Sequence, residues 1–209
     1  MNKIKIKKIF ETLINNYNYN SKIELKYDNA YTLLVAVILS ARNTDKGVNK
    51  VTKELFKVVK TPEEMLLLGE NKLREYIKTI GLCNTKAKHI IAMSEKLVKN
   101  FNSIVPDNME DLTSLDGVGR KTANIILNIV YKKPSIAVDT HVFRVSNRIG
   151  FTKAKNVIES EKQLLKAIPK EYISEVNSCL VLHGRYVCKS RKPDCESCAI
   201  KDLCEKRVK

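Results

Sequence analysis

The sequence predicts an all-helical protein, because its apolar residues recur at helical spacing and no run shows convincing strand alternation. Boundary signals agree with helices. Thr61 to Glu64 forms a capping box with proline at the first helical position, and Gly81 and Gly150 follow apolar-periodic segments as helix-ending residues. The amphipathic positions that carry this prediction are Ile6, Ile9, Phe10, Leu13, Ile14, Val48, Val51, Leu55, Val58, Leu73, Tyr76, Ile77 and Ile80.

The balance of charges indicates a polyanionic partner. The chain has 209 residues, and its 38 Lys and Arg against 23 Asp and Glu give a formal net charge of +15. Such a charge suits nucleic acid or an acidic membrane surface, and charge alone does not choose between them. The alternative is a basic protein that is merely soluble, with nucleic acid favoured.

The N terminus and the cysteines predict a protein of a reducing cytoplasm. Residues 1–8 are charged throughout and lack the apolar stretch of a secretory signal. The longest apolar run, Leu33 to Leu39, is too short to span a membrane and predicts a buried core helix. Four of the six cysteines crowd the C terminus, which suits metal ligation better than a disulfide scaffold. The best candidate for a domain boundary is the Lys-Lys-Pro-Ser segment at 132–135.

A glycine-containing turn between two predicted helices is a candidate phosphate site. Residues 115–124 run Leu-Asp-Gly-Val-Gly-Arg-Lys-Thr-Ala-Asn, after a short helix over 109–114 and into an apolar-periodic helix. The glycines let a ligand approach the main chain, and the second helix presents N–H groups and the positive end of its dipole. An ordinary tight turn is the alternative. The predicted contacts to DNA phosphate, which would position DNA without reading its sequence, are Gly117, Val118, Gly119 and Arg120.

The C-terminal cysteines provide thiolates for a metal centre. Their spacing is Cys-x6-Cys-x2-Cys-x5-Cys, and on spacing alone one zinc ion and one iron-sulfur cluster are equally favoured. Cys83 and Cys179 stand apart and are predicted to be unligated. The four candidate ligands are Cys188, Cys195, Cys198 and Cys204. A basic loop between the first two either contacts phosphates or is simply solvated, and it contains Lys189, Arg191 and Lys192.

Three segments together resemble the endonuclease III family of DNA glycosylases. They are the glycine-containing turn, residues 136–145 and the C-terminal cysteines. The turn is similar to the family's helix-hairpin-helix, except that Asp116 stands where proline is common. Residues 136–145, Ile-Ala-Val-Asp-Thr-His-Val-Phe-Arg-Val, resemble the segment with the family's catalytic aspartate. The cysteine spacing, preceded by His-Gly-Arg-Tyr at 183–186, is similar to the family's [4Fe-4S] loop. The resemblance implies a helical barrel domain over 23–133, a cluster domain made of 1–22 and 134–209, and a DNA cleft between them.

The resemblance also implies a reaction. Lys121 attacks the sugar carbon that bears a damaged base, and Asp139 helps to deprotonate the amine and stabilises positive charge on the sugar. A lysine reacts only when deprotonated, and Arg120 and the helix N terminus disfavour its ammonium form. Taken alone, Asp139 is predicted to be a helix N-cap. In the family, Arg42 and Leu82 correspond to residues that fill the space left by a flipped nucleotide, although glutamine is usual in place of Arg42.

We therefore expect a bifunctional DNA glycosylase and AP lyase that excises oxidised pyrimidines and carries a [4Fe-4S] cluster. Its expected partner is double-stranded DNA with damaged bases or abasic sites, bound by a monomer in the cytoplasm at the nucleoid, with no membrane partner. Two alternatives remain from the sequence. One is a mismatch glycosylase that uses water in place of the lysine, and the other is a non-catalytic DNA-binding module.

Overall fold

Helices account for the regular structure, as the apolar spacing predicts. The computed structural model describes residues 1–17 and 24–207, and within these ranges it contains helices and no strand. The α-helices are α1 (Lys3–Asn16), α2 (Ala30–Ser40), α3 (Asp45–Leu55), α4 (Pro62–Tyr76), α5 (Cys83–Phe101), α6 (Met109–Ser114), α7 (Arg120–Ile129), α8 (Thr140–Ile149), α9 (Val157–Ala167) and α10 (Ile173–Tyr186), with a 3-10 helix at Lys170–Tyr172.

The chain divides into two compact units, each with its own apolar core. One unit is Lys22–Tyr131 and contains α2 to α7. The other combines Met1–Ser21 with Lys132–Lys209 and contains α1 and α8 to α10. The chain passes from one unit to the other at the Lys-Lys-Pro-Ser segment.

Helix α2 is the central element of the Lys22–Tyr131 unit. Every residue from Tyr31 to Leu39 is buried, so the helix is enclosed on all sides and packs against α3, α5 and α7. The prediction of a buried core helix is confirmed. Each large apolar side chain buried in this way contributes about 1.5–3 kcal/mol to folding. No helix in the described part of the chain is both long and apolar enough to cross a membrane.

Helix α1 supplies much of the core of the other unit. Its buried face consists of Ile6, Ile9, Phe10 and Leu13. The ring of Phe10 stacks on two aromatic rings, with centroids 5.5 Å from Phe151 and 5.4 Å from Tyr172. The N-terminal segment is therefore an integral part of a core that is otherwise built from the C-terminal third of the chain.

The predicted helix boundaries are right at two places and wrong at a third. Thr61 and Glu64 form the capping box, and Gly150 ends α8 with a φ of 99°. Gly81 does not end a helix, because α4 stops at Tyr76 and is followed by turns. Ile77 and Ile80 lie in these turns and their side chains are buried. Their apolar pattern therefore reflects burial and not a continuing helix.

Candidate functional site

The turn between α6 and α7 forms the hairpin that the sequence predicts. The N–H of Val118 donates to the carbonyl of Leu115 at 3.1 Å, and both side chains are buried. Gly119 is the N-cap of α7 and has no side chain with which to cap it. Helices α2, α3, α4, α6 and α9 are each capped by an Asn or Thr side chain. The hairpin thus anchors its apolar residues inward and leaves room for an anion at the start of α7.

Helix α5 lies behind the hairpin and determines its shape. Gly117 has a φ of 75°, and a Cβ added there would lie 3.0 Å from the Cβ of His89. Lys96, further along α5, donates from Nζ to the carbonyl of Ser114 at 2.6 Å. Glycine at 117 is therefore required both by the left-handed backbone and by the close approach of α5.

The two predicted catalytic residues are held in different ways. Lys121 is exposed in the first turn of α7, in the Lys22–Tyr131 unit. Asp139 is half-buried in the other unit, where it is the N-cap of α8. Its Oδ1 accepts the N–H groups of His141 and Val142, each at 2.9 Å. The prediction that Asp139 is an N-cap is confirmed, and this capping fixes the orientation of its carboxylate.

Arg42 and Leu82 share an unusual backbone conformation. Their φ angles are 59° and 62°, in the left-handed region that residues other than glycine rarely adopt. Both side chains are exposed, and Leu82, a large apolar residue, is 59% exposed. A conformation of this kind costs about 1–3 kcal/mol and persists only where surrounding contacts hold it.

Two residues that the sequence analysis missed hold these loops together. The Nδ2 of Asn43 donates to the carbonyls of Leu39 and Ala41, and its Oδ1 accepts the N–H of Gly81 at 3.0 Å. Lys86 is 5% exposed, and its Nζ donates to the same two carbonyls at 2.8 and 2.6 Å. Burial lowers the pKa of Lys86. We call Asn43 and Lys86 the loop clamp, because they join the turn bearing Arg42 to the loop bearing Leu82.

The four C-terminal cysteines are half-buried in one region. Burial raises the pKa of the Cys198 thiol, and Cys204, Cys188 and Cys195 raise it further, so the four sulfurs lie within electrostatic reach of one another. No group of three or more His, Cys, Asp or Glu side chains in the described ranges is arranged to hold a metal ion. As a donor set, four thiols suit zinc or an iron-sulfur cluster.

Hydrogen-bond donors lie close to two of these sulfurs. The Nη1 of Arg148 lies 3.6 Å from the Sγ of Cys188, and the N–H of Lys206 lies 3.3 Å from the Sγ of Cys204. Donors of this kind stabilise thiolates, which are the form that binds iron or zinc. The chemistry of the site therefore fits a thiolate-bound group.

Arginines of α8 hold the loop that follows Cys188. Arg144 donates to the carbonyls of Gly184 and Cys188 at 2.9 and 3.1 Å. Arg148 donates to the carbonyls of Lys189 and Ser190 at 2.7 and 2.8 Å. Neither arginine is assigned a role from the sequence, although their spacing of four residues places them on one face of a helix. The basic side chains that this loop exposes are Lys189, Arg191 and Lys192.

A buried histidine links α10 to both α1 and the cysteines. The Nδ1 of His183 is 2.8 Å from the hydroxyl of Tyr17, and its Nε2 is 3.6 Å from the Sγ of Cys198. Burial lowers the pKa of His183 to about 4, so its imidazole is neutral at physiological pH. His183 therefore contributes hydrogen bonds to this region and no charge.

Comparison with known proteins identifies the family. Residues 35–170 match the model described as HhH-GPD superfamily base excision DNA repair protein. The chain is 48% identical to endonuclease III of Escherichia coli, over 100% of this chain and 99% of that protein. The chain belongs to the endonuclease III family. Endonuclease III of Rickettsia prowazekii is 52% identical over 95% of this chain and 93% of that protein.

Solved structures of the family agree with the fold. A trapped endonuclease III–DNA covalent intermediate matches with a TM-score of 0.86 and 40% identity, over 99% of this chain and 97% of that one. The resemblance inferred from the hairpin, aspartate and cysteine segments is thus confirmed, and so is the all-helical fold of helix-hairpin-helix glycosylases.

Substitution of Gly117 tests the strain in the hairpin. Gly117→Ala is expected to lower the free energy of unfolding by about 1–2 kcal/mol, because alanine disfavours a positive φ and must displace His89. The measurement is a urea unfolding curve. Gly119→Ser is the control, since Gly119 has a φ of −90° and no atom lies within 4 Å of an added Cβ. Equal stability of the two variants would contradict this explanation of Gly117.

Substitution of Lys86 tests the loop clamp. Lys86→Met keeps the aliphatic stem but removes the charged donor from two carbonyls, so we expect a loss of about 1–2 kcal/mol in the free energy of unfolding. Lys88→Met is the matched control, because Lys88 is exposed on the same helix. Denaturant midpoints report both effects, and the clamp would be refuted by a Lys86→Met protein as stable as the Lys88→Met protein.

Proposed function

We propose that this protein is a bifunctional DNA glycosylase and AP lyase that excises oxidised pyrimidines in base excision repair. Its substrate is double-stranded DNA that contains damaged bases or abasic sites. The observation that carries the proposal is Lys121, an exposed amine directly after the hairpin, in a chain that matches endonuclease III proteins along its whole length. A family member has been trapped as a covalent complex with DNA, which supports a nucleophile supplied by the protein.

In the proposed reaction, the Nζ of Lys121 forms a bond to the sugar C1′ while the bond between C1′ and the base breaks. The base leaves with the electron pair of that bond. Asp139 accepts a proton from the attacking amine and stabilises the positive charge that develops on the sugar. The C1′–O4′ bond then breaks, O4′ takes up a proton, and the lone pair of the lysine nitrogen forms the C1′=N bond of a Schiff base. The Schiff base acidifies the hydrogen on C2′, and removal of that hydrogen as a proton expels the 3′ phosphate and nicks the strand. The fixed carboxylate of Asp139 suits this role, because its orientation is set before the substrate arrives.

DNA binding is assigned to the hairpin and the two strained loops. Main-chain groups of 117–120 would bind a phosphate near the lesion, and Arg42 and Leu82 would fill the space left by the flipped nucleotide. The loop clamp supports this assignment, since its hydrogen bonds hold together the two loops that carry Arg42 and Leu82. A preorganised loop loses less conformational entropy on binding. The basic loop after Cys188 would add phosphate contacts.

We also propose that the four C-terminal cysteines hold a [4Fe-4S] cluster. The all-thiol donor set and the nearby N–H donors support this assignment. When bound, the cluster supplies iron–thiolate bonds that cross-link the C-terminal segment. The proposed reaction of Lys121 and Asp139 includes no electron transfer, so it does not use the cluster. Since its substrate is DNA, we place the protein at the nucleoid in the cytoplasm, acting as a monomer.

Borohydride trapping tests the lysine mechanism. Borohydride reduces the Schiff base to a stable amine. Duplex DNA that contains thymine glycol should therefore form a covalent adduct with the wild-type protein and none with the Lys121→Ala variant. Gel electrophoresis under denaturing conditions measures the adduct. Lys72→Ala, at an exposed lysine of α4, is the control and should form it normally. Base release by the natural sequence without any adduct would favour a water nucleophile and contradict the proposal.

The metal content tests the cysteine site. Purified protein should absorb at about 400 nm and contain iron, and Cys198→Ser should lower both because one ligand is lost. Cys83→Ser is the control, since Cys83 lies in the other unit, and it should leave absorbance and iron unchanged. Colourless protein that contains zinc would refute the assignment.

A further inference from the structure

A groove lined by lysines lies in the Lys22–Tyr131 unit, apart from the residues assigned above. It has a volume of about 640 Å³ and is formed by α3, the turn after it and the segment that precedes α2. Among the described residues that line it, Asp28 is the only acidic one. Its basic side chains are Lys26, Lys46, Lys50, Lys53, Lys57 and Lys60, all of them exposed.

Four of these lysines form a line. Lys46, Lys50, Lys53 and Lys57 follow one another at intervals of four, three and four residues, which places them on one face of α3 and the turn that follows it. At about 1.5 Å per residue the line is about 16 Å long. One strand of duplex DNA has a phosphate about every 3.4 Å along the axis and winds round it, so a straight line of this length lies beside a few phosphates, fewer than about five.

The groove has a built wall. The Oδ1 of Asn49 accepts the N–H of Lys26 at 2.8 Å, and its Nδ2 donates to the carbonyl of Glu24 at 2.8 Å. These bonds hold the segment before α2 against α3. Phe56, only 8% exposed, contributes an apolar surface to the lining. The lysines are therefore carried by a helix and by segments that are hydrogen-bonded to it.

The charge of the groove is only partly compensated by the protein. Lys60 pairs with Asp28 at 3.5 Å, and Lys57 pairs with Glu54 at 2.7 Å. Both pairs are exposed and contribute little to stability. The ammonium groups of these lysines repel one another, and together they attract a polyanion.

We propose that this groove, which we call the lysine groove, binds the sugar-phosphate backbone of duplex DNA. The inference rests on the proposed function and adds a contact surface to it. Lys46 follows Arg42 by only four residues, and Thr44 caps α3 between them, so the line of lysines begins where the Arg42 turn ends. A linear arrangement fits an extended polyanion better than a single phosphate. Such contacts increase the affinity for DNA of any sequence.

The salt dependence of binding tests the lysine groove. We expect Lys50→Gln, Lys53→Gln and Lys57→Gln, combined in one variant, to bind undamaged duplex more weakly. The slope of log K against log salt should fall in magnitude by about 2 to 3, because each lost phosphate contact removes about 0.9. The control variant combines Lys72→Gln, Lys99→Gln and Lys162→Gln, which are exposed lysines with the same total charge. A slope equal to that of the control variant would overturn the proposal.

Two further measurements keep the outcome unambiguous. Lys50→Arg, Lys53→Arg and Lys57→Arg together should restore the slope, because arginine also neutralises phosphate; failure to restore it would overturn the proposal. The glutamine variant could also lose affinity for anionic vesicles while the salt slope of its DNA binding stays unchanged. In that case the groove would be a membrane site and the proposal would be wrong. The borohydride adduct of the natural sequence, measured on the same samples, reports separately on the lysine chemistry.

Discussion

The enclosure of α2 is the constraint on which the Lys22–Tyr131 unit depends. A helix that is apolar on every side must be covered on every side, and α3, α5 and α7 provide much of that cover. The same three helices carry the functional features. Lys121 lies in the first turn of α7, α5 begins beside Leu82 and backs the hairpin at His89, and α3 carries the lysine groove. Hydrophobic burial thus positions chemistry that lies on the opposite, exposed faces.

Strain and hydrogen bonding are balanced in the loops that α5 supports. Arg42 and Leu82 adopt backbone conformations that are unfavourable by themselves. The loop clamp offsets this cost, because it gives two carbonyls charged and amide donors, and the bond from Lys86 to Leu39 is buried, where such bonds are stronger than in water. Two loops distant in sequence are thereby joined by hydrogen bonds. A connection of this kind suits the proposed role of Arg42 and Leu82, which is to fill the space left by a flipped nucleotide.

The other unit uses a different means of organisation. Its C-terminal segment has few large apolar residues, and side chains of α8 and α10 hold that segment through its main-chain carbonyls and sulfurs. Arg144 and Arg148 lie on the helix that Asp139 caps, so one helix both orients the proposed catalytic carboxylate and shapes the loop with the basic residues. A group bound by the four cysteines, as proposed, would cross-link this segment.

The sequence by itself determined the helical class, the buried α2, the hairpin and the capping role of Asp139, because each depends on residues within about one helical turn or on a short motif. It failed at Gly81, where burial of Ile77 and Ile80 imitates a helix that has already ended. Lys86 could have been found, since it shares the helical face of Ala87 and Ile90. Only the tertiary structure decided the loop clamp, the arginine contacts and the lysine groove. The hydrogen bonds that build them join residues about 20 to 50 positions apart, and no local sequence pattern encodes that proximity.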